Sequence, residues 1–496
     1  MIEFFNALLT ILSHPGQLLL IVVSVLGGYM IGVLPGLGVI FGIVVLLPFT
    51  LKLPPELGIA TLMAVFVGSA CGGGLTATLL GIPGTPMATA TLLDAHPMAK
   101  KGDPGRAIGF VVIASVFGGI VSAIILAVFA PFLARVALNF GPPEYVLLVA
   151  LGLTTVAFVS HGAFIKGMLA ALLGLSIATI GTDIATTFQR FTFGVPQLVV
   201  GFNMIPVLLG LFAIPEIISM LERKNECMDI KVGKIKPKWL KKKDWRDYLP
   251  TFIKSSFIGT TVGALPGAGA DIAAFLSYGE AKRSSKHPEK YGTGIPEGVI
   301  ASEAANNAVT GGALIPMLTL GIPGDAAIAI IMGALFMHGI APGPNLYQIH
   351  GSLLAYIYVG LFLANIALLI IGMYASRPFI SLCGLHRAIL IPIIMLLCVL
   401  GVWAIQTSIF DLWIMLAFGI LSYILRKLQF PLAPVILGYI LGPLFEQNLR
   451  RTLTISGGDF SIFITRPYSL LIIAIFALVL YGLFKTVIKK ETKKVA

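Results

Sequence analysis

Apolar stretches close to the length of a membrane-spanning helix, about 20 residues, recur along nearly the whole chain. They lie near residues 17–34, 39–51, 57–93, 107–134, 145–160, 163–181 and 197–220, and again near 251–278, 297–340, 352–375, 388–405, 409–425, 428–445 and 468–488. Hydrophobic residues make up 57% of the 496 residues and charged residues only 11%, a balance that excludes a soluble multidomain protein. The sequence therefore predicts an all-α polytopic membrane protein of about 10 to 12 spans.

Two glycine- and proline-rich motifs occur twice inside these apolar stretches. They read Gly32-Val-Leu-Pro-Gly-Leu-Gly38 and Gly81-Ile-Pro-Gly84 in the first half, and Gly263-Ala-Leu-Pro-Gly-Ala-Gly269 and Gly321-Ile-Pro-Gly324 in the second. Glycine and proline interrupt helices, and unpaired backbone groups at membrane depth are tolerated only where protein buries them or where they line a cavity. The duplicated pair therefore predicts discontinuous or re-entrant helices around a transporter's binding site.

The charges of the loops indicate how the two halves are oriented. In the first half, residues 51–57 carry one Lys and one Glu, whereas the loop near residues 100–106 is basic. The order is reversed in the second half, where residues 282–290 are basic and residues 340–351 contain no Lys or Arg. Because basic loops face the cytoplasm, equivalent loops lie on opposite sides of the membrane, and we predict two inverted-topology repeats.

The same pattern suggests a division of the chain into four parts. These are a first transmembrane repeat (1–220), a basic cytoplasmic linker (221–249), a second transmembrane repeat (250–446) and a C-terminal segment with a last membrane helix and a basic tail (447–496). The net charge of +12 is concentrated in loops, which indicates orientation and not nucleic-acid binding. Arg450, Arg451 and Arg466 fall on the outer side and conflict mildly with this arrangement, unless a re-entrant or interfacial segment lies there.

The helix starts beside the breaks are candidate anion sites. Thr85-Pro86 and Asp325-Ala326 have the sequence of helix N-caps, and a helix N-terminus can hold a carboxylate without a buried Lys or Arg. Asn306, Asn307 and Thr310 precede the second break and offer further polar groups. The full set of predicted substrate-binding residues is Gly36, Gly38, Gly81, Pro83, Gly84, Thr85, Gly267, Gly269, Asn306, Asn307, Thr310, Gly321, Pro323, Gly324 and Asp325.

A coupling ion has its own candidate positions. The carbonyl groups freed at Leu34 and Leu265, together with the intramembrane acid Asp271, form a possible Na⁺ site. We expect Na⁺ as the coupling ion, with H⁺ as the alternative, and no cofactor. Structural roles remain open, because Gly and Pro also permit tight helix packing, Asn pairs also join membrane helices, and Asp325 would serve equally as a simple cap.

Several longer stretches resemble one known family. They are Gly81-Ile-Pro-Gly-Thr-Pro86, Asp94-Ala-His-Pro-Met-Ala-Lys-Lys-Gly102, Pro296-Glu-Gly-Val-Ile-Ala-Ser-Glu-Ala-Ala-Asn-Asn307, Gly311-Gly-Ala-Leu-Ile-Pro-Met-Leu-Thr-Leu-Gly-Ile-Pro-Gly324, Met337-His-Gly-Ile-Ala-Pro-Gly-Pro344 and Pro443-Leu-Phe-Glu-Gln-Asn-Leu-Arg-Arg451. Together, and in this order, they resemble the large membrane (permease) subunit of the tripartite tricarboxylate transporters.

This resemblance implies a protein of the prokaryotic inner (cytoplasmic) membrane. It implies two protein partners, a small membrane subunit and an extracytoplasmic solute-binding protein. It further implies secondary active uptake, by symport, of carboxylates such as citrate, driven by an ion gradient and not by ATP.

Two other classes of function were weighed against the transporter. An enzyme is not expected, because the sequence contains no HExxH, no GxSxG and no P-loop. An ion channel or cation antiporter without an organic substrate remains the alternative, since inverted repeats with broken helices also serve ion translocation.

Overall fold

The structure is a computed structural model that describes residues 2–159, 164–183, 185–222, 235–376, 378–379 and 387–478. The described chain is almost entirely helical. His161, Cys227 and Cys383, part of the predicted linker (223–234) and the basic tail (479–496) lie outside the described residues.

The described part of the first half contains nine helices. They are α1 (Ile2–Ser13), α2 (Pro15–Val33), α3 (Val39–Thr50), α4 (Pro55–Leu80), α5 (Thr89–Lys100), α6 (Pro104–Ala137), α7 (Pro142–Val159), α8 (Phe164–Ala178) and α9 (Met204–Glu222). A 3₁₀ turn at Pro86–Ala88 precedes α5, and a short antiparallel hairpin of β1 (Gly181–Thr182) and β2 (Gln189–Arg190) follows α8, with Gly181 opposite Arg190.

The described part of the second half contains twelve helices. They are α10 (Lys242–Gly263), α11 (Gly269–Ser284), α12 (Pro296–Gly312), α13 (Leu314–Leu320), α14 (Ala326–Met337), α15 (Leu346–Ile349), α16 (Gly351–Tyr374), α17 (Arg387–Gln406), α18 (Ile409–Lys427), α19 (Leu432–Ile455), α20 (Ile462–Thr465) and α21 (Pro467–Leu478). α10 begins inside the predicted linker, and α19 continues past residue 446 without a break.

The predicted fold class is confirmed. Within the described residues, seven helices are long and apolar enough to cross a membrane, and six shorter apolar helices accompany them. Proline at the first turn starts several of the long ones, because its missing N–H needs no partner there and its fixed φ suits a helix. These prolines are Pro15, Pro55 and Pro104.

Equivalent helix pairs in the two halves pack through equivalent glycines. A Cβ atom at Gly72 of α4 would lie 2.4 Å from the carbonyl oxygen of Tyr29 in α2. A Cβ atom at Gly312 of α12 would lie 2.4 Å from the carbonyl oxygen of Thr260 in α10. Tyr29 and Thr260 are 231 residues apart, and Gly72 and Gly312 are 240 residues apart. These are the same offsets that separate the two copies of each sequence motif. The duplication visible in the sequence is thus a duplication of packing.

The two repeats also exchange contacts reciprocally. α12 of the second repeat packs along α6 of the first, and the equivalent α4 of the first repeat packs along α16 of the second. Reciprocal contacts of this kind are what a two-fold axis between two copies produces. The centre of the molecule, around α4 and α12, is therefore built from both repeats, and it is buried almost throughout.

Two of the three arginines that conflicted with the charge pattern, Arg450 and Arg466, form ion pairs. Arg450 contacts Asp183 at 2.9 Å and Glu446 at 2.8 Å, which joins the end of α19 to the β1–β2 hairpin. Arg466 contacts the buried Glu144 at the start of α7 at 2.8 Å. These arginines thus join segments that are distant in the sequence.

Candidate functional site

The first repeat breaks twice, as its motifs predict. α2 ends at Val33, and the chain turns through Gly36, whose φ of +99° favours glycine. α4 ends at Leu80, where Gly81 takes the left-handed conformation (φ 71°, ψ 20°). The chain then folds back onto α4, and the Gly84 N–H donates to the Gly73 carbonyl oxygen at 3.3 Å.

The second repeat reproduces this geometry closely. Gly321 ends α13 with φ 72° and ψ 24°, and the Gly324 N–H donates to the Ala313 carbonyl oxygen at 3.2 Å. Gly267, with φ +82°, donates its N–H to the Gly324 carbonyl oxygen at 2.7 Å. Backbone hydrogen bonds therefore join the two motifs of this repeat directly.

The glycine before each restarted helix has no room for a side chain. A Cβ atom at Gly84 would lie 2.2 Å from the Gly32 carbonyl oxygen, and one at Gly324 would lie 2.3 Å from the Gly263 carbonyl oxygen. In both repeats, then, the Gly-Ile-Pro-Gly break lies against the end of the preceding broken helix. The structure brings the paired motifs together within each repeat.

The breaks of the two repeats also meet each other. α11, which follows the first break of the second repeat, packs against the Pro86–Ala88 turn of the first repeat. Reciprocally, α14 packs against α3. All four predicted breaks consequently lie around one region of the molecule.

The two restarted helices differ at their first residue. Asp325 is the N-cap of α14, and its Oδ1 accepts a hydrogen bond from the Ile328 N–H at 2.8 Å. Thr85 has the same extended backbone, but its side chain does not cap the turn that follows. The Thr85 Oγ1 is buried and has no hydrogen-bond partner among the described residues.

Other buried polar atoms of α4 and α12 also lack partners. Within the described residues, Ser69 Oγ, Asn306 Oδ1 and both polar atoms of the Asn307 side chain have none. Asn306 donates to the Ala70 carbonyl oxygen at 3.2 Å, and Thr85 lies against Gly73, so both contact one stretch of α4. We call Ser69, Thr85, Asn306 and Asn307 the polar cluster. Each unsatisfied buried group costs about 1–3 kcal/mol, so four such residues need an explanation.

Other predicted site residues are engaged by the protein itself. The Thr310 hydroxyl donates to the Asn307 carbonyl oxygen at 2.7 Å. The carbonyl oxygens of Leu34 and Leu265, predicted to coordinate Na⁺, accept turn hydrogen bonds at 3.2 Å from Leu37 and Ala268. Asp271 is exposed in the first turn of α11 and lies within electrostatic range of Asp325. The remaining predicted positions, Gly38, Pro83, Gly269 and Pro323, belong to the breaks themselves.

Sequence reasoning gave no role to Glu303 in the middle of α12. Its side chain is completely buried and accepts hydrogen bonds from Thr91 and Ser115 at 2.6 and 2.7 Å. An acidic residue well inside an apolar segment was the available signal, because such residues are costly in a membrane and mark ion or proton sites.

A separate cavity of about 740 Å³ opens between the β1–β2 hairpin and the end of α19. Charged side chains line one part of it, namely Asp183, Arg190, Glu446, Arg450 and Arg451.

The fold and the breaks define a polytopic helical membrane protein of the transporter class. The model of the tripartite tricarboxylate transporter TctA family matches residues 18–437. The chain belongs to this family, and it is a membrane transporter.

Two relatives come from Agrobacterium vitis. One, described as an uncharacterized 52.8 kDa protein in the TAR-I ttuC' 3' region, is 36% identical over 472 residues, which cover 95% of this chain and 94% of the relative. The other, an uncharacterized protein in the TAR-II ttuC' 3' region, is 37% identical over 209 residues, covering 42% of this chain and 86% of the relative.

Among solved structures, the transmembrane domain of a cyanobacterial bicarbonate transporter, BicA, was matched. The match has 13% identity, covers 82% of this chain and 97% of the other, and has a TM-score of 0.17. At so low a score, nothing about this chain follows from it.

Proposed function

We propose that this protein is the large subunit of a binding-protein-dependent tripartite system in the cytoplasmic (inner) membrane. It takes up carboxylates of the citrate type, di- or tricarboxylates, as a secondary transporter driven by an ion gradient. Na⁺ is the expected coupling ion and H⁺ the alternative. A small membrane subunit and an extracytoplasmic solute-binding protein are its expected partners. Family membership supports this proposal.

The polar cluster carries the proposal within the structure. Ser69, Thr85 and Asn307 offer hydroxyl and amide donors that have no partner among the described residues, and all three are buried. Thr85 lies directly at a backbone break. A carboxylate accepts hydrogen bonds from such donors without needing a buried Lys or Arg. Binding of the substrate would therefore satisfy groups that are otherwise left unpaired.

The asymmetry between Thr85 and Asp325 indicates where in the region the anion binds. The N–H of Ile328 is already taken by the Asp325 carboxylate, whose charge would repel a second anion at the start of α14. The first repeat presents an uncharged hydroxyl at the equivalent position. We therefore place the substrate carboxylate on the Thr85 side of the four breaks.

The test is uptake by the chain reconstituted into liposomes with its two partner subunits. Labelled citrate is offered from outside, with an inward Na⁺ gradient or an inward pH gradient. We expect accumulation under at least one gradient, and none when the gradient is collapsed by an ionophore. Ion flux that does not depend on the carboxylate would support the channel or antiporter function instead.

A matched pair of threonine variants tests whether this uptake depends on the polar cluster. Thr85→Val removes the unpartnered hydroxyl, whereas Thr319→Val removes a buried hydroxyl that donates to the Ile315 carbonyl oxygen at 2.6 Å. We expect Thr85→Val to weaken citrate uptake at least tenfold and Thr319→Val to keep it near the wild-type level. Equal uptake by the two variants would contradict the assignment of Thr85.

A further inference from the structure

Glu303 is a buried carboxyl group without a compensating positive charge. Among the residues that the structure describes, no Lys, Arg or His forms an ion pair with it. Its two oxygens are held instead by the hydroxyls of Thr91 on α5 and Ser115 on α6. An ionised carboxylate in so apolar a place is unfavourable unless it is paired, so this group favours a bound proton.

The hydroxyls around Glu303 satisfy both protonation states. Thr91 Oγ1 lies 3.1 Å from Ser302 Oγ, which in turn lies 3.0 Å from the Gly298 carbonyl oxygen. When Glu303 is ionised, Thr91 donates to its Oε1. When Glu303 is protonated, the acid can donate to Thr91, which then donates to Ser302. Only hydroxyl hydrogens need to rotate, so the proton can bind and leave without any rearrangement of heavy atoms.

Asn306 links this carboxyl group to the polar cluster. It follows Glu303 by one helical turn on α12, and its Nδ2 donates to the Ala70 carbonyl oxygen of α4 at 3.2 Å. Its Oδ1 accepts no hydrogen bond from the described residues. An anion at the polar cluster and a negative charge on Glu303 would then be neighbours.

The other groups around Glu303 do not supply a charge of their own. The titratable groups that face it are the Cys71 thiol on α4 and the Tyr29 hydroxyl on α2. Asp94, one turn after Thr91 on α5, is engaged by Tyr278 of α11 and by the backbone N–H groups of Gly292, Gly294 and Ile295. Within the described chain, no charged side chain of α6, α10 or α11 acts on Glu303.

We propose that Glu303 binds a proton together with the substrate carboxylate and releases it when the carboxylate leaves. The proton converts the Glu303 carboxylate to the neutral acid, which removes the repulsion of the anion. By linkage, the anion raises the affinity of Glu303 for the proton by the same factor. This inference rests on the proposed function. It adds a proton-binding residue to the transport step, in addition to any Na⁺ site.

Infrared difference spectroscopy across pH tests the proton site without any substrate. The purified full-length chain is titrated between about pH 5 and 9, and the carbonyl stretch of protonated carboxylic acids is followed. We expect a band that titrates in the wild type and in Glu297→Gln, a control on the same helix, and that is lost in Glu303→Gln. Glu303→Asp keeps a carboxyl group and should retain the band at a shifted frequency. A retained band in this variant indicates that Glu303→Gln loses the band because it lacks the carboxyl group and not because its fold is defective.

Two outcomes of this titration would overturn the proposal. One is a spectrum without any band assignable to Glu303 at every pH. The other is a Glu303 that ionises only when Na⁺ is added at constant pH, which would assign the group to Na⁺.

A transport measurement separates the failure of this inference from failure of the proposed function. In liposomes with both partner subunits, an inward pH gradient should drive several-fold accumulation of labelled citrate by the wild type and by Glu297→Gln. Glu303→Gln should show no accumulation driven by the pH gradient, but should still exchange internal for external citrate. If no protein moves citrate while the Glu303 band still titrates, the proposed function fails and the proton site stands. If Glu303→Gln accumulates citrate under the pH gradient as the wild type does, the inference fails.

Discussion

At the scale of single residues, the structure separates positions that shape the breaks from positions that are free to bind. At Gly84 and Gly324, an added Cβ would lie only 2.2 and 2.3 Å from a backbone carbonyl oxygen, so these positions have room only for glycine. Thr85 and Asn307 instead carry polar atoms that nothing in the described chain satisfies. Mutations of these two kinds should therefore have different effects on stability and on transport.

Gly84→Ala tests the first kind of residue. The new methyl group would collide with backbone that cannot move independently, so we expect lower thermal stability and loss of citrate uptake. The matched control is Gly27→Ala in α2, where nothing lies within 4 Å of an added Cβ. That control should be neutral or stabilising by up to about 1 kcal/mol. Equal melting temperatures and equal uptake for the two variants would refute the steric account.

Asn307→Leu tests the second kind. If the Asn307 amide is kept for the substrate, its removal relieves an unsatisfied buried group, and the apo protein should gain stability by about 1–3 kcal/mol. Citrate binding should weaken at the same time. A variant that loses stability and keeps its affinity for citrate would show that Asn307 is structural. Thermal unfolding in detergent, with and without citrate, measures both quantities.

At the scale of elements, the sequence predicted most helices well, because hydrophobic length and helix-breaking residues are local signals. The apolar stretch near 107–134 became α6 (Pro104–Ala137), and the duplicated motifs became the two pairs of breaks. The β1–β2 hairpin at Gly181–Arg190 was not predicted, because it is held by contacts that are distant in the sequence. Likewise, no sequence rule predicts that Thr91 and Ser115 donate hydrogen bonds to Glu303. None predicts that the Thr85 side chain fails to cap the turn that follows it.

Two carboxylates hold the hairpin: Glu446 of α19 pairs with Arg190 of β2 at 2.7 Å, and Asp183 lies directly after β1. Hydrogen bonds from the Thr186 hydroxyl and the Ala185 N–H, together with the Arg450 guanidinium, lower the pKa of Asp183 to about 2. Because the pKa is lowered on folding, the stabilisation is complete above the unfolded value of about 3.9 and is lost as the pH falls towards 2.

Asp183→Asn should therefore loosen the hairpin at neutral pH. Hydrogen exchange of residues 181–190 should be faster in this variant and should respond less to acid, whereas the wild-type hairpin should open only below about pH 4. Arg451→Gln is the control, since Arg451 lines the same cavity without an ion pair to any described residue. Unchanged exchange in Asp183→Asn would contradict this role.

At the scale of the whole molecule, two repeats related by a two-fold axis meet at their broken helices. Each repeat supplies one Gly-Ile-Pro-Gly restart, but the restarts are chemically different, with Thr85 in one and Asp325 in the other. The sequence located the four breaks. It did not reveal that the hydroxyl of Thr85 and the amide of Asn307 lack partners among the described residues, because this depends on how α4 and α12 pack.

The central claim is that the substrate carboxylate binds at the polar cluster. The most direct measurement is an electron cryomicroscopy structure of the full complex, frozen with citrate under conditions in which uptake has been shown. The account predicts ligand density within hydrogen-bond distance of Thr85 and Asn307. Density confined to the cavity beside Arg190 and Arg451, or at the Asp325 end of α14, would contradict it.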